Sequence, residues 1–68
     1  MAMPRERPIT LEGLLLLESG QLVLRLPDGG QWRLLALGVQ RGLLGRRVRI
    51  DGVRERHDVV AVERMTPL

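Results

Sequence analysis

Cysteine, lysine, tyrosine and phenylalanine are all missing from this chain, and tryptophan and histidine occur once each. Without cysteine there is no disulfide, no thiolate zinc site and no cysteine nucleophile. Without lysine, all of the positive charge rests on arginine. The shortage of aromatics leaves Trp32 alone for any base-stacking platform. Nucleophilic catalysis is equally poorly supplied, with one serine (Ser19), two threonines and His57. A nucleophile–base–orienter set would have to bring Ser19 and His57 together from two different turns. Long apolar runs are absent too. None nears the roughly 18 residues that cross a bilayer, and Met1–Pro8 has no apolar core of a signal peptide. A soluble, cytoplasmic protein is the expectation.

What is present is a short, leucine-rich and arginine-rich chain. Its 68 residues allow one domain with a small core. Eleven arginines stand against 8 acids, for a net charge of +3. All-arginine usage fits a GC-rich genome as well as it fits selection for anion binding.

The stretch Gln21–Ala36 organises the rest. It reads as two strands joined by Pro27-Asp28-Gly29, where proline presets the first turn position and glycine can take the left-handed one. That turn sets Leu24 opposite Trp32 and Leu22 opposite Leu34 on one face, leaving Val23, Arg25, Gln31 and Arg33 on the other. Upstream, Ile9 to about Leu17 alternates as a first strand. The tight Ser19-Gly20 turn then places Leu17 opposite Leu22 and Leu15 opposite Leu24, with Gly13, Leu11 and Ile9 continuing that inner face. Gly13 in mid-strand predicts a bend where one long strand serves two halves of a curled sheet. Met1–Pro8, with two prolines and alternating charge, reads as a flexible leader.

After Ala36 the period changes. Leu37–Gly45 spaces Val39, Leu43 and Leu44 as one or two helical turns, with Gly45 as a C-cap. Arg46–Val53 resumes alternation, Val48 and Ile50 inward and Arg47, Arg49 and Asp51 outward. A loop, Arg54–Asp58, leads to a last strand, Val59–Met65, with Val60 and Val62 inward. Matching Val62 to Ile50 requires a bulge, for which Gly52 is the natural seat. The order is β-β-β-α-β-β, an all-β domain over residues 9–66 with one short helical turn.

Five strands with a kinked first strand and a helix after the third match the layout of an OB-fold. The chain resembles small bacterial OB-like domains in three places. These are the hairpin Pro27-Asp-Gly-Gly-Gln-Trp-Arg-Leu34, the run Leu44-Gly-Arg-Arg-Val-Arg-Ile-Asp-Gly-Val53, and the closing Asp58-Val-Val-Ala-Val-Glu-Arg-Met65. The motifs are structural, and they imply a five-stranded barrel and no particular ligand. An SH3-like barrel is the alternative.

Three constellations bear on function. Glu55, His57 and Asp58 share a loop, but one imidazole and two carboxylates at a hairpin tip read as a solvated turn. No enzyme, cofactor or metal site is expected. The outward arginines Arg25, Arg33, Arg47, Arg49, Arg54 and Arg56 are candidates for weak single-stranded nucleic-acid contact. Against that reading, acids interleave them, Trp32 faces the core and Ser19-Gly20 is too short to clamp a strand. The third feature is apolar. Both turns put Leu14, Leu16 and Val23 on the outer side, to which Leu35 also belongs, so either the strand reverses its faces at Gly13 or these residues form a candidate interface. The expected function is therefore a non-enzymatic interaction domain that self-associates or docks on a protein partner, the alternative being a weak nucleic-acid binder.

Overall fold

The computed structural model of the chain describes residues 7–36, 38 and 41–68. It contains five strands: β1 (Pro8–Glu18), β2 (Gln21–Arg25), β3 (Gln31–Leu35), β4 (Arg47–Arg56) and β5 (Val59–Pro67). A single 3₁₀ turn, Arg41–Leu43, lies between β3 and β4. The strands form one sheet that closes on itself in the order β1-β2-β3-β5-β4. Every contact in the ring is antiparallel except β3 with β5, which runs parallel over Arg33–Leu35 and Val59–Ala61.

The two expected turns set the register. Ser19 and Gly20 both have positive φ, 52° and 79°, which is the mirror-image turn whose twist matches a two-residue hairpin. Leu15 accordingly pairs with Leu24 and Leu17 with Leu22. In the second hairpin the Gly29 N–H donates to the Leu26 carbonyl at 2.9 Å, and the Leu26 N–H donates to Gly30 at 2.8 Å. The Asp28 carboxylate accepts from the Gly30 N–H at 2.9 Å, and Gly29 has φ 97°. Leu24 faces Trp32 and Leu22 faces Leu34, as the alternation requires.

Gly13 is where β1 changes partner. Pro8–Leu14 pair with β4, and Leu14–Glu18 pair with β2. A Cβ at Gly13 would run into the carbonyl oxygen of Arg25, so only glycine lets the two strands close at the bend. Gly52 does the same job opposite the Ala61 carbonyl. Inside the ring, Leu15, Leu22, Leu24, Leu34, Val48, Ile50 and Val60 form a wholly aliphatic core. Trp32, Leu43 and Leu44 are partly buried against it. Gly45, at φ 80°, ends the 3₁₀ turn, and its N–H donates to the Leu15 carbonyl at 2.7 Å. The helical segment is thus one tight turn; Leu37, Val39 and Gln40 lie outside the described residues.

Several expectations are corrected. β1 begins at Pro8, one residue earlier than the alternation suggested; residues 1–6 of the expected leader lie outside the described residues. The Arg54–Asp58 loop does not exist as such, because β4 continues to Arg56 and His57-Asp58 alone make the turn. Val62 pairs with Gly52, while Ile50 pairs with Met65. Two register shifts cause this: Arg54 pairs with Val60 but Arg56 with Val59, and Asp51 pairs with Arg64 but Gly52 with Val62. Glu55 on β4 and Glu63 on β5 are therefore the extra, unpaired residues. Gly52 flanks one shift without being the bulged residue. Leu17, expected inside, is 46% exposed at the open end of β1.

Candidate functional site

The outer face of β1 carries Glu12, Leu14, Leu16 and Glu18 in alternate positions, so an apolar centre lies between two carboxylates. The ring places arginines alongside. Arg25 of β2 and Arg47 of β4 both pair with Leu14, one from each side. Arg49 lies opposite Glu12, with Nε donating to the Glu12 carboxylate at 3.0 Å. The Arg25 guanidinium reaches Glu18 at 3.4 Å. Leu14 is 38% exposed. Together with Gly13, Leu26 and Pro27 it forms a hollow of about 470 Å³, rimmed by Arg25 and Arg47. The hollow lies where β1 passes from β4 to β2 at Gly13 and Leu14.

The expected interface does not hold together as one patch. Leu14 is exposed and Leu16 is half-buried, but Val23 is already 91% covered within the chain, at 9% exposure. Val59 is more covered still, although it pairs with the outward Arg33. Val23 and Val59 flank Arg33 across neighbouring strands, so the sheet is concave there and leaves little of either to a partner. Leu35 is 48% exposed, but it pairs with Ala61 of β5 and lies away from Leu14.

That concavity is a cleft of about 310 Å³ on the outer side of β2 and β3. Glu18 and Ser19 from the first turn close one end and Asp58 from the last turn the other, with Gln21, Gln31 and Arg33 between. Its ionisable groups are two carboxylates and one guanidinium, an unfavourable balance for a polyanion. The fold brings Ser19 and Asp58 to the same cleft, while His57 lines a different hollow. No hydrogen bond links the side chains of these three among the described residues. Nor do the described residues contain any group of three or more His, Cys, Asp or Glu placed to hold a metal ion.

The six candidate arginines are dispersed. Arg25 and Arg47 flank Leu14, Arg49 is paired with Glu12, and Arg33 lies in the mixed-charge cleft. Arg54 and Arg56 sit at the last turn, where Arg7 joins them. The Arg54 guanidinium lies 5.8 Å from the centre of the Trp32 ring. Reasoning from sequence missed both that contact and Arg7, because each depends on the ring bringing the ends of β1, β3 and β4 together.

No helix among the described residues is long and apolar enough to cross a membrane. No curated protein and no solved structure matches the chain. The family model that does match describes proteins of unknown function, DUF5818; it spans residues 12–68, nearly the whole of the ring, and the chain belongs to that family.

Proposed function

We propose that this chain is a non-enzymatic, OB-like interaction module of the cytoplasm that self-associates through the outer face of β1, centred on Leu14. The observation that carries the reading is the hollow around Leu14 and its charged frame. An apolar centre bounded by Glu12 and Glu18 on its own strand, with Arg25, Arg47 and Arg49 alongside, is self-complementary in charge. A second copy related by a two-fold axis would set leucine against leucine, with the Arg25–Glu18 and Arg49–Glu12 pairs as a polar rim. Strand order supports the OB-like reading over an SH3-like one. One long β1 serves both β2 and β4, and the ring closes through a parallel β3–β5 contact instead of a continuous meander.

The association is weak. Leu14 and Leu16 are already partly covered, so each adds less than the roughly 1.5–3 kcal/mol of a fully buried leucine. A dissociation constant on the order of 10 µM to 1 mM is the expected range. Single-stranded nucleic acid is the less supported partner, because the outward arginines do not line up along one track and two of them are already paired with acids.

Sedimentation of the wild type against Leu14→Glu and Leu16→Glu tests the reading. The wild type should move from 7.7 kDa toward twice that mass as concentration rises. Leu14→Glu should remain monomeric with an unchanged melting temperature. A wild type that stays monomeric at about 1 mM refutes self-association.

A further inference from the structure

At the start of β5, the last turn gathers arginines. Arg7, Arg54, Arg56 and His57 line a hollow of about 350 Å³, with Glu55 as the only acid on it among the described residues. Two backbone features create the cluster. The Arg54 N–H donates to the Arg7 carbonyl at 3.0 Å, which ties the start of β1 to the end of β4. The register shift at Glu55 then sets Arg54 opposite Val60 and Arg56 opposite Val59, and both arginines line the same hollow.

Arg54 is held in place before any ligand arrives. Its Nε donates to the His57 carbonyl at 3.1 Å, and its guanidinium lies over Trp32. Neither hydrogen bond nor ion pair among the described residues engages its two Nη groups. The contrast with Arg25 and Arg49 is direct, since those two are satisfied by Glu18 and Glu12. Among the described residues no ion pair engages Arg7, Arg54 or Arg56.

We infer that this hollow binds a phosphate dianion, either inorganic phosphate or a phosphate monoester. Guanidinium forks match phosphate oxygens two at a time, and a tetrahedral dianion offers enough acceptors for several forks where a carboxylate offers two. The site is independent of the Leu14 face and stands whether or not the chain dimerises.

Trp32 is a built-in reporter, because a ligand that draws on the Arg54 guanidinium changes the environment of the ring. Tryptophan emission should be titrated with inorganic phosphate and with glycerol phosphate, against sodium chloride at equal ionic strength. A saturable change with either phosphate, absent with chloride, is the expected result. Arg7→Gln and Arg56→Gln should each weaken it about tenfold. Arg64→Gln, an equal loss of charge elsewhere on the surface, should leave it unaltered. All three residues are exposed, so circular dichroism should show the fold retained in each variant. A response to chloride equal to that of phosphate overturns the site, as do Arg7→Gln and Arg56→Gln proteins that titrate like the wild type. A change produced by a short oligonucleotide but by neither dianion also overturns it, since a diester chain would then be the ligand.

Discussion

Replacing Gly13 by alanine adds one methyl group at the point where β1 leaves β4 and joins β2. The new carbon meets the carbonyl oxygen of Arg25 and lies 3.3 Å from the Leu24 side chain. Neither neighbour can step aside easily. Arg25 is paired with β1 on one side and with Gln31 of β3 on the other, and Leu24 is fully buried. Overpacking of this kind costs about 1–3 kcal/mol. Stiffening the unfolded chain returns roughly 0.4–1 kcal/mol of that. The net loss is therefore about 1–2 kcal/mol, against a total stability of roughly 3–10 kcal/mol expected for a domain this size. At about 4–8 °C per kcal/mol, the melting temperature should fall by roughly 5–15 °C. Thermal and urea unfolding followed by circular dichroism will show it. Gly42→Ala is the control, since a Cβ there meets nothing and the backbone has no positive φ; it should change stability by less than about 0.5 kcal/mol. Gly13→Ala with wild-type stability would mean that β1 does not bend against Arg25, and the ring closure would need redrawing.

Trp32→Ala should cost about 2–4 kcal/mol, because the ring packs on the core but is only partly covered; denaturant titration measures it, and native emission should fall between the buried and water-exposed limits. Gly20→Ala places a side chain at φ 79° and should cost about 1–2 kcal/mol, whereas Ser19→Asn suits the same turn and should be neutral or stabilising in the same assay. Arg49→Ala removes the 3.0 Å contact with Glu12, yet both groups are half exposed, so the loss should stay under about 1 kcal/mol and shrink further in salt.

Local chemistry explains which parts of the fold were legible. Ser19-Gly20 and Pro27-Asp28-Gly29 each admit essentially one turn geometry, and a fixed turn settles every pair in its hairpin. Gly13 announced the bend because a glycine among leucines has no packing reason to be there. The last hairpin was read less well. Its bulged residues are Glu55 and Glu63, which carry no turn signature, and the shifts they introduce moved Val62 from Ile50 to Gly52. Alternation alone puts Leu17 inward, but alternation does not show where a strand runs past the end of the ring. The facing of the leucines on β1 was legible for the same reason. Facing follows from register, so Leu14 and Leu16 were placed correctly on the outer side. Exposure follows from curvature, which hid Val23 and separated Leu35 from the other two.

Self-association, as proposed, brings two copies together across the outer face of β1. The most direct measurement is an isotope-filtered nuclear Overhauser experiment on an equal mixture of labelled and unlabelled chains, at about 1 mM. Cross-peaks between copies from the methyl groups of Leu14 and Leu16, lost in Leu14→Glu, are the expected result. Intermolecular cross-peaks confined to Leu35, or none from a protein that sediments as a monomer, would contradict it.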